Sequence, residues 1–226
     1  MYSCVDRGQD VDGRDKPGHD VRRGWWLIRK AVAAATVVVV LTGAATAAWV
    51  ASLGPLPLDH AREISTTVID RNGKLLRAYA MTDGRWRLPV DARRDVDPTY
   101  VKLLLAFEDK RFYSHAGIDP LALSRAAFQL ATRGHIVSGG STITMQLARL
   151  MEPRRERSVY AKLRQMVRAV QIERQLSKPQ ILDLYLALAP FGGNLEGVRA
   201  ASLAYFGKEP LRLTVAEAAL LVALPQ

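Results

Sequence analysis

The chain has 226 residues, of which 49% are hydrophobic, and it carries a formal net charge of +10. Its single cysteine, Cys4, excludes an internal disulfide, and its four histidines are scattered singly, without the clustering of a metal site. The positive charge favours acidic partners, which include nucleic acid, anionic lipid and phosphorylated substrates.

The N-terminal part predicts a membrane anchor. Residues 1–24 are polar and aperiodic, which predicts a disordered cytoplasmic segment. Residues 25–50 predict one transmembrane helix, because Ala31 to Val50 holds no charge and about 20 apolar residues span a bilayer. A cleaved signal peptide is the alternative, although its apolar region is typically about 7–15 residues long. The basic residues that predict a cytoplasmic N-terminus are Arg22, Arg23, Arg29 and Lys30.

After the anchor, the pattern predicts a linker over residues 51–63 and one mainly helical domain over residues 64–226. Residues 64–90 indicate a small β element, because β-type runs flank Asp70-Arg71-Asn72-Gly73 and Asn-Gly is a strong hairpin signal. From Asp97 onward, capping residues and apolar residues at helical spacing predict successive helices. The predicted helices begin at Asp97, Asp119, Ser141, residue 158, Ser177 and Thr214. The helix over 158–176 is basic, with a predicted apolar stripe at Leu163, Val167 and Val170.

Glu108 is the first candidate for chemistry. It ends an apolar helix and is followed by Asp109 and aromatic residues. A glutamate at the rim of an apolar wall can serve as an acid or base near neutral pH. An exposed helix end with ordinary charges is the alternative when this segment is considered alone.

A glycine-rich loop at residues 138–140 is the second candidate. Its glycines let the backbone approach a ligand, and Ser141 is predicted to cap a helix whose free N–H groups face an anion. From Arg149 to Lys178 there are nine Lys or Arg against three Asp or Glu. Such a run is either a solvated charged face or, beside this loop, a means of neutralising a pyrophosphate leaving group.

Five segments in register resemble the motifs of the family 51 glycosyltransferases, the polymerase domains of class A penicillin-binding proteins and monofunctional transglycosylases. The resemblance covers roughly residues 64–226, and its most specific parts surround Glu108. The matching segments are Glu108-Asp109-x-x-Phe112-x-x-His115-x-Gly117, Gly139-Gly140-Ser141-Thr142-Ile143-Thr144-x-Gln146-Leu147, Ser177-Lys178 with Ile181-Leu182-x-x-Tyr185-Leu186, Tyr205-Phe206-Gly207-Lys208, and Leu213 to Gln226. Met145, Lys162–Gln165 and Ala189–Gly193 resemble the penicillin-binding protein 1C branch.

This resemblance implies a lysozyme-like, mainly α fold with a jaw that dips into the membrane. It implies that lipid II is polymerised into glycan strands with release of undecaprenyl pyrophosphate, Glu108 being the general base. The remaining residues that match substrate-binding positions are Asp109, Phe112, His115, Ser141, Thr142, Gln146, Arg149, Lys162 and Gln165. A lone histidine such as His115 is more often part of the hydrogen-bonded scaffold. The predicted jaw is the helix 119–132, with Leu121, Leu123, Phe128 and Leu130 available to touch lipid.

Three departures from the family pattern qualify these expectations. Gln165 stands where the family usually has a second glutamate, so a Mg or Mn ion on the substrate pyrophosphate stays an open question. Ala187 and Ala161 replace the usual Asn and Arg. The chain ends at Gln226 without the transpeptidase motifs of most class A members, which predicts a truncated fragment.

The expected location is the bacterial inner membrane, with one membrane pass and a periplasmic domain. The expected partners are lipid II, the lipid-linked glycan strand and the membrane, with other cell-wall synthesis proteins possible and nucleic acid not expected. Two other functions stay open: a lysozyme-like glycan-cleaving enzyme, which also uses one glutamate, and an inactive membrane-anchored scaffold.

Overall fold

The computed structural model describes residues 19–134, 140–152 and 158–225. Contacts divide the chain into two compact units, with the boundary between Gly54 and Pro55. The mainly α fold class with a small β element, preceded by one apolar helix, is confirmed.

The first unit contains helix α1, His19–Ser52. Its segment Trp25–Ser52 is long and apolar enough to cross a membrane, by length and composition. The helix begins six residues before the predicted anchor, so the prediction of a disordered segment is wrong for residues 19–24 and otherwise falls on residues outside the described ones. Extending an existing helix requires no new nucleation step, so the polar residues 19–24 can be helical as a continuation of the apolar helix.

The second unit begins with a short helix, α2, Leu58–Arg62, within the predicted linker. Ala61 is buried in the domain core, so part of the linker belongs to the folded domain.

The predicted hairpin is confirmed. Strands β1, Thr67–Ile69, and β2, Leu75–Ala78, pair antiparallel. The Asp70 carboxylate accepts hydrogen bonds from the backbone N–H groups of Asn72 and Lys74, both at 2.8 Å. Gly73 closes the turn with φ of +81°, a conformation that favours glycine.

A second two-stranded sheet was not predicted. Strand β3, Trp86–Arg87, pairs in parallel with β4, Leu195–Glu196. The buried Arg87 guanidinium donates from Nε to Oε2 of Glu196 at 2.8 Å. Two-residue strands have no periodic signal in the sequence, so only this tertiary pairing defines them.

The remaining helices begin close to their predicted starts, except α8, which was not predicted and lies between α7 and α9. They are α3 Pro98–Glu108, α4 Pro120–Arg133, α5 Ile143–Met151, α6 Val159–Gln175, α7 Lys178–Leu188, α8 Val198–Phe206 and α9 Val215–Ala223. Asp97 caps α3 by accepting from the backbone N–H of Thr99. The capping boxes that start α7 and α9 are both present.

Helix α5 is central to the core. It packs against α6 and α7, and α3 packs against α9. The apolar side chains at the centre are almost completely buried; they include Tyr100, Leu104, Ile143, Leu147, Ile172, Ile181, Leu186 and Leu221. The Asp109 carboxylate, which accepts from the backbone N–H of Ile143 at 3.0 Å, fixes the end of α3 next to the start of α5.

The predicted apolar stripe of α6 is wrong at Leu163, whereas Val167 and Val170 are half-buried. Leu163 is 50% exposed, and the buried residues of α6 are Arg168, Ala169 and Ile172. Arg168 is buried because its guanidinium donates to Glu152 Oε1 at 2.6 Å, an ion pair that periodicity does not reveal. Ala169 is buried because Gly117 packs directly on its backbone.

Candidate active site

A cleft of about 650 Å³ opens where the end of α3 meets the starts of α4 and α5. Its wall carries both acidic and basic side chains together with the polar residues of the α5 start. The residues that line it are Ala106, Phe107, Glu108, Asp109, Lys110, Arg111, Asp119, Ala122, Arg125, Ser141, Thr142 and Gln146. The first two predicted motifs therefore meet in one cleft.

Glu108 is the last residue of α3 and is half-buried in this cleft. Its carboxylate Oε2 accepts a hydrogen bond from Gln146 Nε2 at 2.6 Å. Gln146 matches a substrate-binding position of the family, and the structure brings it directly against Glu108. The other carboxylate oxygen, Oε1, accepts no hydrogen bond from the described residues, which leaves one oxygen able to accept a proton.

Tyr185 on α7 forms a hydrogen bond with Gln146. Its hydroxyl donates to Gln146 Oε1 at 3.1 Å, and its ring is buried. Burial raises the pKa of Tyr185, the charge of Glu108 raises it further, and Arg149 offsets part of this rise. The phenol therefore keeps its proton. In the sequence Tyr185 is only part of a helical motif, because an apolar face and a buried phenol give the same periodicity.

Asp109 connects three segments of the site. Its buried carboxylate accepts from His115 Nε2 at 3.0 Å and from the backbone N–H of Ile143 at 3.0 Å. The N–H of Gly117 donates to His115 Nδ1 at 3.2 Å, which assigns the ring proton to Nε2. Both Asp109 and His115 thus hold the end of α3, the following loop and the start of α5 together. Their predicted contact with substrate stays a prediction.

Two other predicted binding residues are buried. Phe112 lies in the core, with Lys178 Nζ 4.5 Å from its ring centroid. Thr142, and not Ser141, caps α5: its hydroxyl accepts from the N–H of Met145 and donates to the carbonyl of Gly117 at 2.6 Å. The prediction of Ser141 as the cap is therefore wrong, because Thr142 alone links the α5 start to the Gly117 loop.

Ser141 instead faces a basic residue of α6. Lys162 Nζ donates a hydrogen bond to Ser141 Oγ. Burial lowers the pKa of Lys162, and the nearby charge of Arg149 lowers it further. Neither cation forms an ion pair with a carboxylate of the described residues. Two like charges held close together favour binding of an anion.

Gln165 lies one turn after Lys162 on α6 and is half-buried. Its side chain makes no hydrogen bond within the described ranges. Nor do three or more His, Cys, Asp or Glu side chains converge anywhere in the part of the chain described. Binding of a divalent cation stays a prediction.

The predicted jaw helix is α4. Its Leu121 and Phe128 are 64% and 70% exposed, whereas Leu123 is half-buried beside Gly140. The side chain of Leu130 and the loop residue Gly139 lie outside the described part. The bidentate pair between Arg111 and Asp119 fixes the start of α4, with Nε to Oδ2 at 2.9 Å.

Comparison with known families tests the resemblance. Residues 72–226, most of the chain, match the model of the transglycosylase family. The chain belongs to this family. The predicted membership in the family 51 glycosyltransferases is confirmed.

The relatives of this transglycosylase are named penicillin-binding proteins. Penicillin-binding protein 1C of Escherichia coli (strain K12) is 46% identical over 206 residues, which are 91% of this chain and 25% of that protein. Penicillin-binding protein 1A of Aquifex aeolicus (strain VF5) is 44% identical over 72% of this chain and 22% of the relative. The corresponding protein 1A of Pseudomonas aeruginosa is 38% identical over 73% and 20%. The transglycosylase thus spans about a quarter or less of these relatives.

Proposed function

We propose that this chain polymerises lipid II into glycan strands at the outer face of the bacterial inner membrane. The observation that carries the proposal is the position of Glu108. Its carboxylate opens into the 650 Å³ cleft, which Ser141 also lines, and Lys162 donates a hydrogen bond to that serine. A base and an anion site next to each other are what glycosyl transfer from a lipid diphosphate requires.

Glu108 acts as the general base. Its Oε1 takes the proton of the sugar 4-hydroxyl of the incoming lipid II, and that oxygen forms a bond to C1 of the growing strand. The bond between C1 and the phosphate oxygen breaks, its electron pair leaves with undecaprenyl pyrophosphate, and the configuration at C1 inverts. General base catalysis is typically worth about 10²–10⁴-fold in rate.

Lys162 and Arg149 stabilise the departing diphosphate. Arg149 is exposed, Lys162 is half-buried, and their mutual repulsion falls when an anion lies between them. Cations that face developing negative charge accelerate such steps without reorganising at the moment of reaction. Ser141 holds the Lys162 ammonium in place until the anion arrives.

Membrane attachment involves two apolar surfaces. The segment Trp25–Ser52 of α1 anchors the chain, with the N-terminus cytoplasmic and the domain periplasmic. The exposed Leu121 and Phe128 of α4 touch lipid and keep the cleft near the lipid-linked substrates. Other cell-wall synthesis proteins are the expected partners.

Incubating the detergent-solubilised chain with purified lipid II, and in parallel with intact sacculi, distinguishes this proposal from the two alternatives. We expect long glycan strands from lipid II and no change in the sacculi. Shortened sacculi would instead indicate a glycan-cleaving enzyme. Binding of lipid II without any turnover would indicate an inactive scaffold.

A further inference from the structure

Tyr185 does not contact the candidate base, but it contacts the side chain that does. We propose that Tyr185 is a positioning residue for glycosyl transfer, which fixes the Gln146 amide so that Gln146 holds Glu108. The two hydrogen bonds run from Tyr185 OH to Gln146 Oε1 at 3.1 Å and from Gln146 Nε2 to Glu108 Oε2 at 2.6 Å. This inference rests on the proposed function of Glu108.

The direction of both hydrogen bonds follows from the chemistry of the three groups. An ionised carboxylate only accepts, so Glu108 requires the Nε2 end of the Gln146 amide. The Oε1 end then faces Tyr185, which must donate. Tyr185 can always donate, because its raised pKa keeps the phenol protonated. Without the hydroxyl, Gln146 Oε1 would lose its partner, and Glu108 alone would orient the amide.

The position of Tyr185 is itself rigid. The residue is 2% exposed and belongs to the core cluster, in which α7 packs against α5. Gln146 lies on α5 and Glu108 at the end of α3, so the relay joins three helices at one point. By holding Oε2, the relay keeps Oε1 directed into the cleft, where a general base must accept the proton.

The test compares two phenol deletions in the full chain. Tyr185→Phe should lower kcat about tenfold, the value of one lost hydrogen bond, and leave KM for lipid II little changed. Tyr205→Phe is the control: it also removes a hydrogen-bonded phenol hydroxyl, but that hydroxyl donates to the carbonyl of Phe191 and not to the relay. The control should keep the wild-type kcat.

A double-mutant cycle tells a relay from simple loss of packing. In a Gln146→Ala background, Tyr185→Phe should cost no further activity, since the group through which it acts is gone. An equal loss in both backgrounds, or a fully active Tyr185→Phe, would overturn the positioning role. Activity of the wild-type chain on lipid II, measured alongside, reports on the proposed function separately.

An NMR measurement tests the relay even if the chain does not polymerise lipid II. In the ¹⁵N-labelled, detergent-solubilised protein, one Gln146 side-chain amide proton should resonate downfield of a free glutamine because it is bonded to Glu108. Tyr185→Phe should return that resonance toward the free value, and Tyr205→Phe should not. A Gln146 resonance that is unchanged in Tyr185→Phe would refute the relay.

Discussion

Asp109 offers the sharpest test of how the site is held together, because it is buried and its partners lie on two other segments. Asp109→Ala removes the acceptor of His115 Nε2–H and of the Ile143 backbone N–H. Each unsatisfied buried donor costs about 1–3 kcal/mol, and the lost desolvation of the carboxylate offsets part of the total. We therefore expect Asp109→Ala to lower the free energy of unfolding by about 3 kcal/mol.

The assay is thermal unfolding of the detergent-solubilised chain, followed by circular dichroism. For a domain of this size, about 3 kcal/mol corresponds to a Tm lower by about 6–12 °C. Asp109→Asn should lower Tm by about half as much. Its Oδ1 can still accept from the Ile143 N–H, whereas its side-chain NH₂ would face the His115 N–H and could not accept from it. Asp59→Ala is the control on an exposed carboxylate and should leave Tm unchanged. A Tm for Asp109→Ala within about 1 °C of wild type would refute the reasoning.

Two further predictions concern the Gly117 loop and the anion pocket. Gly117→Ala should destabilise the domain far more than Gly73→Ala, although both glycines have positive φ. A Cβ on Gly117 would lie 2.7 Å from the Ala169 backbone, whereas a Cβ on Gly73 would have no atom within 4 Å. Equal shifts in Tm would contradict this prediction. The alkaline limb of kcat/KM should begin below the usual Lys pKa of 10.5, because Lys162 has a lowered pKa and loses its charge as pH rises through that value. Lys162→Arg should move this limb to higher pH, since a guanidinium stays charged; an unmoved limb would remove Lys162 from donor binding.

Features encoded within a few residues could be predicted from the sequence. The turn at Asp70 to Gly73 and the capping boxes at Ser177 and Thr214 depend on hydrogen bonds between near neighbours. The exchange of roles between Ser141 and Thr142 could not be predicted, because it depends on the Gly117 carbonyl, 25 residues from Thr142.

Contacts between distant residues account for most of what the sequence did not reveal. Glu108 was identified from its motif, but its partner Gln146 is 38 residues away, and Tyr185 is 39 residues beyond that. The burial of Arg168 on α6 was not predicted because arginine is a charged residue, whereas its ion pair with Glu152 allows burial. Periodicity describes one helix at a time and contains no information about such partners.

The most direct test of the central claim is polymerisation of lipid II by Glu108→Gln. The amide keeps the shape of the side chain but cannot accept the 4-hydroxyl proton, so kcat should fall by about 10²–10⁴-fold. Binding of lipid II and Tm should both stay close to wild type, which separates lost chemistry from lost structure. A Glu108→Gln chain that makes glycan strands at the wild-type rate would contradict the assignment of Glu108 as the base.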